Sequence, residues 1–94
     1  MEKERIEAAL GQMLEALAAI EHERWSHWQR YMHDKGKLQT DGSLLIPAEF
    51  VQRWELQIAT PYTALTEAEK DSDRDQVRRY LQTIVDGLAS VPRL

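Results

Sequence analysis

The first third of the chain carries one helical pattern of apolar positions. Over residues 2–35 the apolar side chains recur mostly three, four or seven residues apart, which is typical of an amphipathic helix. They are Ile6, Leu10, Met13, Leu14, Leu17, Ile20, Trp25, Trp28 and Met32. An unbroken helix of this length would span about 50 Å, more than the expected diameter of a globule this small. We therefore expect either a break near Gly11 or a first half that projects and packs on another chain.

A loop and a short helix are predicted next. Residues 34–46 have the composition of a loop, with Asp41-Gly42 as a turn signal and no strand pattern. Pro47 suits the first turn of a helix, because its missing N–H has no partner to lose there. The expected apolar face of this helix holds Phe50, Val51, Trp54 and Ile58. The helix should end before Pro61, since the residue preceding a proline avoids the helical region.

A third helix begins at a capping box, in which Thr66 is followed three residues later by Glu69. The helix should extend to about Ala89. Its predicted buried stripe consists of Val77, Tyr80, Leu81, Ile84, Val85 and Leu88. The pattern thus predicts an all-α module with a long N-terminal helix, a short middle helix and a C-terminal helix. We expect a single domain over residues 1–94, with 1–20 as a helical extension and 20–90 as the core.

Composition removes several classes of protein. The 94 residues suit one small domain. Absence of cysteine excludes disulfides, thiolate nucleophiles and zinc–thiolate sites. No apolar run approaches the ~20 residues of a membrane helix, and the charged N-terminus lacks a signal-peptide core, so we expect a cytoplasmic protein. With 12 basic and 16 acidic residues, the net charge of −4 argues against nucleic acid as a partner.

The histidines lie in one segment, residues 21–33. His22 and His27 are five residues apart, and His27 and His33 are six apart. Neither spacing places two imidazoles on one side of a helix, as the HExxH type of metal site requires. The chain also has no glycine-rich phosphate loop and no nucleophile elbow. We therefore expect no metal, no cofactor and no catalysis.

Aromatic and basic residues suggest binding, with a structural alternative in each case. Trp25 and Trp28 fit either a core stripe or a stacking platform for a planar ligand such as a nucleobase. Trp54 and Tyr62 could close the opposite wall of such a platform. The basic side chains four residues apart on the third helix fit either a solvated face with local ion pairs or an anion site. These side chains are Lys70, Arg74 and Arg78.

Two segments together resemble the RyR domain, the repeat named after ryanodine receptors. They are His22-Glu23-Arg24-Trp25 and the run PYTALTEAEKDSDR from Pro61 to Arg74. The resemblance covers about residues 20–88, although receptor repeats carry a WxYG segment where this chain has GKLQTDGSLLIPAEFVQRW. The matching family positions are His22, Trp25, Pro61, Tyr62, Leu65, Lys70, Asp73 and Arg74.

The resemblance implies a compact helical module without catalysis. Prokaryotic members are suggested to sense ligands in nucleotide-based defence signalling, and a phage version could act as a messenger sponge in the host cytoplasm. We therefore expect a small anionic, nucleotide-like ligand. From the length of the N-terminal helix we also expect a homo-oligomer formed through that helix. The predicted ligand-binding residues are His22, Trp25, Trp28, Tyr62, Lys70, Arg74 and Arg78. The alternative is a helical homo-oligomeric interaction protein without a small ligand, whose functional surface is residues 2–20.

Overall fold

The computed structural model describes residues 2–92, which form four α-helices, one 3-10 turn and a small β-hairpin. The helices are α1 (Lys3–Gly11), α2 (Leu14–Lys35), α3 (Ala48–Ala59) and α4 (Glu67–Ala89), with the 3-10 turn at Tyr62–Ala64. The strands are β1 (Lys37–Leu38) and β2 (Leu44–Leu45). The predicted, mainly α-helical fold with long helices near both ends is confirmed.

The long N-terminal pattern breaks where the sequence predicts it. Helix α1 ends at Gly11, and Gln12 and Met13 form a turn before α2 begins. Met13 donates its N–H to the Leu10 carbonyl at 3.0 Å, and its own carbonyl accepts from Leu17 at 2.9 Å. Glycine is a poor helix former, so the helix stops there at little cost.

The prediction of a strand-free loop over residues 34–46 is wrong, because two short strands flank the turn in its middle. Lys37 pairs with Leu45 and Leu38 with Leu44 in an antiparallel ladder. The Asp41-Gly42 turn is confirmed, with Gly42 at φ +90°, where an L side chain would be strained. Strands of two residues are too short to show the alternation by which strands are detected in a sequence.

The chain divides into two compact units, and the divisions fall within α2 and within α4. The first unit holds the described residues up to Arg24 and those from Ser72 onward. The second unit is Trp25–Asp71. The single domain over residues 1–94 stays a prediction.

Helices α2 and α4 run antiparallel within the first unit. Met13 lies against Gly87, and Glu21 and Glu23 contact Tyr80 and Arg79 further along. A Cβ on Gly87 would lie only 2.7 Å from Sδ of Met13, so glycine permits the close approach. The apolar side chains that this unit buries are Ala9 and Met13, at 2% and 5% exposure.

The predicted buried stripe of α4 is wrong for half of its members. Tyr80, Ile84 and Leu88 are half-buried as the pattern indicates. The others, Val77, Leu81 and Val85, are exposed at 52%, 52% and 58%. The apolar face of α4 is wider than the surface of the first unit that packs against it. Val51 and Ile58 of α3 likewise lie exposed, contrary to the predicted face.

Candidate functional site

Four aromatic rings from α2 and α3 form a cluster in the second unit. Trp28 stacks on Tyr31 with centroids 5.3 Å apart and an interplanar angle of 21°. Trp54 meets the edge of Trp28 at 5.7 Å, and Phe50 and Tyr31 at 5.9 and 6.4 Å. Rings at such distances stabilise one another beyond the burial of their surface. We name the set Trp28, Tyr31, Phe50 and Trp54 the aromatic cluster.

Local helical spacing builds this cluster. Trp28 and Tyr31 are three residues apart on α2, and Phe50 and Trp54 are four apart on α3, so each pair shares a helix face. Trp54 and Phe50 are half-buried, whereas Trp28 keeps 40% of its surface exposed. The cluster is therefore both the core of the second unit and an accessible aromatic surface.

Two cations lie over the aromatic cluster. Nζ of Lys35 is 5.3 Å from the Tyr31 centroid and 5.5 Å from the Phe50 centroid. Cζ of Arg53 is 5.5 Å from the Phe50 centroid. Within residues 2–92, neither side chain forms an ion pair with a carboxylate. Cation–π attraction thus holds two positive charges at the rings without neutralising them.

Lys70 and Tyr62, two of the predicted binding residues, are in contact. Nζ of Lys70 is 5.7 Å from the Tyr62 centroid. The same ammonium pairs with Glu67 at 3.6 Å, and only 17% of the Lys70 side chain is exposed. The charge of Lys70 is therefore already matched by a carboxylate and a ring.

The capping box at the start of α4 is confirmed. The Glu69 N–H donates to Oγ1 of Thr66 at 3.2 Å, and the Thr66 N–H donates to Oε1 of Glu69 at 3.1 Å. Nε2 of Gln57, near the end of α3, donates to Oε2 of Glu69 at 2.8 Å. These bonds, that from Gln57 above all, lower the pKa of Glu69. A carboxylate therefore occupies this helix N-terminus, so an anionic ligand has no place there.

The predicted binding residues are divided between the two units. His22, Arg74 and Arg78 belong to the first unit, and Trp25, Trp28, Tyr62 and Lys70 to the second. Arg78 pairs with Asp75 at 2.6 Å, and Arg74 also has a partner. Along α4, Lys70 and Arg78 thus behave as members of a helix face with local ion pairs, the structural alternative for the basic stripe.

The acidic residues of α2 hold α2 to α4 within the first unit. Glu21 accepts hydrogen bonds from Arg24, whose Nε lies 3.2 Å away, and from the hydroxyl of Tyr80. The guanidinium of Arg24, followed by the Tyr80 hydroxyl, lowers the pKa of Glu21 to about 2. Glu23 pairs with Arg79. Arg24, in the first of the two segments that resemble the RyR domain, thus neutralises Glu21.

Sequence reasoning missed most of the surface where rings and unpaired cations meet. Tyr31, Lys35, Phe50 and Arg53 were outside the predicted binding set. The signal was present in the spacing, because Tyr31 and Lys35 are four residues apart and Phe50 and Arg53 three apart. Nothing in the sequence indicated that these two pairs meet each other.

Two broader classes of site are absent from the described part of the chain. Among residues 2–92, no three histidine, aspartate or glutamate side chains are grouped so as to hold a metal ion. No helix in that range combines the length and apolar character needed to cross a membrane.

Comparison of the chain with protein-family models, curated proteins and solved structures finds no match. The RyR resemblance therefore stays a prediction that depends on its two motifs.

Proposed function

We propose that the chain is a non-enzymatic module that binds a small anionic ligand with a planar ring, of the nucleotide type. One observation carries the proposal: Lys35 and Arg53 lie over rings of the aromatic cluster and have no carboxylate partner among residues 2–92. A nucleotide offers the complementary pair of features, a π-face and a phosphate. The surface offers rings and cations within one unit.

The aromatic cluster supplies the stacking part of the interaction. Trp28 and Tyr31 are 40% and 36% exposed, so their rings remain reachable while Trp54 supports them from within the unit. Stacking of a base on such a ring contributes about 1–3 kcal/mol and tolerates different bases. The cluster therefore favours ring-bearing ligands as a class.

Lys35 and Arg53 supply the anion-binding part. Both charged groups lie 5.5 Å from the Phe50 centroid, so they are no further apart than twice that distance. A guanidinium binds phosphate through two parallel hydrogen bonds, and an ammonium adds a point charge. The net charge of −4 would repel an anion at long range, so binding depends on these local cations.

The RyR resemblance supports the same class of ligand. It suggests a nucleotide-derived messenger in phage or bacterial defence signalling, with this chain as sponge or sensor. Tyr62 and Lys70 belong to the motif of that resemblance and lie together in the second unit. Because Lys70 already pairs with Glu67, its ammonium adds only a secondary contact with the ligand.

The proposal is tested by calorimetric titration with AMP, ATP and cyclic di-AMP, in parallel with thermal unfolding. At a hundredfold excess over Kd, a bound nucleotide stabilises the folded chain by about 2.7 kcal/mol. We expect at least one of the three to bind, and the paired variant Lys35→Met with Arg53→Met to bind at least tenfold more weakly. Lys37→Met is the matched control, since Lys37 is an exposed lysine of β1.

Two results would contradict this proposal. Absence of heat and of a thermal shift with all three nucleotides at millimolar concentration would remove the ligand class. Equal weakening by Lys37→Met would show that general positive charge, and no defined site, attracts the anion.

A second candidate function is that of a helical interaction protein without a small ligand. The small number of buried side chains favours it, since Ala9 and Met13 are the buried apolar residues among 2–92. A small module buries a low fraction of its surface and is marginally stable alone, so burial against a partner would stabilise it.

A further inference from the structure

We infer that the ligand of the second unit is a dinucleotide, which stacks one base on the aromatic cluster and the other on Tyr62. The inference rests on the proposed function and deepens it, because it names the class of nucleotide. The unit carries two exposed aromatic surfaces, each with a cation over it, and helix α3 connects them. All of the residues concerned lie within Trp25–Asp71.

Tyr62 forms the second aromatic surface of this unit. Its side chain is 46% exposed, and Nζ of Lys70 lies 5.7 Å from the centroid of its ring. No other ring among residues 2–92 contacts it. A ring that is exposed and has no aromatic neighbour leaves surface on which a base can stack.

One face of α3 leads from the aromatic cluster toward Tyr62. Phe50, Trp54 and Gln57 are four and three residues apart, so they lie along the same face of the helix. Gln57 donates to Oε2 of Glu69 at 2.8 Å, and Lys70 is the next residue of α4. At 1.5 Å per residue, Phe50 and Gln57 are about 10 Å apart along the helix axis. The contact that positions Lys70 therefore lies one helical turn beyond the cluster.

Hydrogen bonds fix both ends of the connection that carries Tyr62. The Thr60 hydroxyl donates to the carbonyl of Leu56 at 2.6 Å, at the end of α3. The Thr66 hydroxyl donates to Oε1 of Glu69 at 2.8 Å, at the start of α4. A ring on a connection that is held at both ends loses little freedom when a ligand binds, which favours affinity.

The charges give the two aromatic surfaces different roles. Within residues 2–92, Lys35 and Arg53 have no carboxylate partner, whereas Lys70 pairs with Glu67. We therefore assign phosphate binding to Lys35 and Arg53, and stacking of the second base to Tyr62. A mononucleotide has one base and uses one surface. A dinucleotide uses both, and its second half binds at the high effective concentration that the linkage provides.

The first test is calorimetric titration of the full chain with AMP and with three dinucleotides, namely pApA, cyclic di-AMP and NAD+. We expect at least one dinucleotide to bind at least tenfold more tightly than AMP, because one additional stacked base contributes that much. The dinucleotides differ in the bond that joins their halves. The tightest of them therefore distinguishes a linear phosphodiester, a cyclic and a pyrophosphate linkage.

Variants at Tyr62 assign the second base to its ring. Tyr62→Leu should remove the advantage of the dinucleotide and leave the Kd of AMP unchanged, whereas Tyr62→Phe keeps a ring and should retain the advantage. Leu56→Ala is the matched control, because Leu56 is 68% exposed on α3 but lies about 120° around the helix from Phe50. It should change neither Kd.

A second experiment needs no substitution. The probe is pApA with an azidoadenine at both bases, which is irradiated in the presence of the wild-type chain. Tandem mass spectrometry of the peptides then locates the labelled residues. We expect label on the aromatic cluster and also within residues 60–66, the connection that carries Tyr62.

Three results would overturn the inference. They are AMP binding as tight as that of all three dinucleotides, an advantage that Tyr62→Leu retains, and photolabel confined to the aromatic cluster. Binding of AMP without any advantage for dinucleotides would remove the inference and leave the proposed function standing. Absence of binding by AMP and by every dinucleotide would instead remove the proposed function itself, so the two failures are distinguishable.

Discussion

The two units of this chain arrange charge and apolar surface in opposite ways. In the first unit the charges are matched, since Glu21 pairs with Arg24 and Glu23 with Arg79, while several apolar side chains of α4 are exposed. In the second unit the rings gather, while Lys35 and Arg53 lie over them without carboxylates. The first unit therefore presents apolar side chains, and the second presents rings with cations. The difference separates the ligand-binding proposal, which depends on the second unit, from the alternative of an interaction protein.

Removal of Trp54 should cause the largest loss of stability in the second unit. Trp54 contacts all three other rings of the aromatic cluster, so Trp54→Ala should cost about 3 kcal/mol. Trp25→Ala is the matched control, because Trp25 is 54% exposed and should cost less than half as much. Urea unfolding monitored by circular dichroism measures both. Equal losses would show that the cluster is not the core of its unit.

The helix contact at Gly87 should produce the next largest effect, this time in the first unit. Gly87→Val forces a side chain into the space of Met13, so we expect a loss of about 2 kcal/mol from overpacking. Gly11→Ala is the control, because a Cβ there meets nothing within 4 Å. It should raise stability by up to about 1 kcal/mol through helix propensity. A neutral Gly87→Val would show that Met13 moves aside freely.

Loss of the capping box should have a smaller effect. Thr66→Ala removes the hydroxyl that accepts from the Glu69 N–H, and the expected cost is about 1 kcal/mol. Thr63→Ala changes an exposed threonine of the 3-10 turn, and should be neutral within about 0.5 kcal/mol. Thermal unfolding of the two variants measures both changes in stability. Comparable losses would mean that the cap does not anchor α4.

Acid should weaken the first unit by a small amount that depends on Glu21. Its pKa falls from 4.5 to about 2 in the folded chain, chiefly through Arg24 and then Tyr80. A lowered folded pKa gives stability that is present above pH 4.5 and is lost as pH falls toward 2. Glu21→Gln should flatten that part of the plot of thermal midpoint against pH, and Tyr80→Phe should flatten it partly. An unchanged slope in both variants would rule out this carboxylate as a source of acid sensitivity.

Much of the fold could be predicted from local signals. The glycine at the end of α1, Pro47 before α3 and the capping box at Thr66 each act within one turn of helix, so their residues alone indicate the boundaries. The hairpin was missed because its strands span two residues each. The predicted buried stripe of α4 was right for half of its residues. Periodicity shows which side chains are apolar, but not how much of the rest of the chain packs against them.

The candidate site was less predictable than the fold. Trp28 was identified from its spacing, but its neighbour Trp54 comes from another helix after a reversal of the chain at the hairpin. Contacts between helices depend on that reversal, which helical spacing does not describe. The spacing of the basic residues on α4 likewise does not show whether their charges are matched. Arg78 has Asp75 one turn before it, and the two form a local ion pair.

The most direct test of the account is the thermal midpoint of the wild-type chain with and without nucleotide at millimolar concentration. A ligand that binds only the folded chain raises its stability, by about 2.7 kcal/mol at a hundredfold excess over Kd. The account predicts a midpoint several degrees higher with at least one of AMP, ATP and cyclic di-AMP. The same midpoint with all three nucleotides as without them would contradict it.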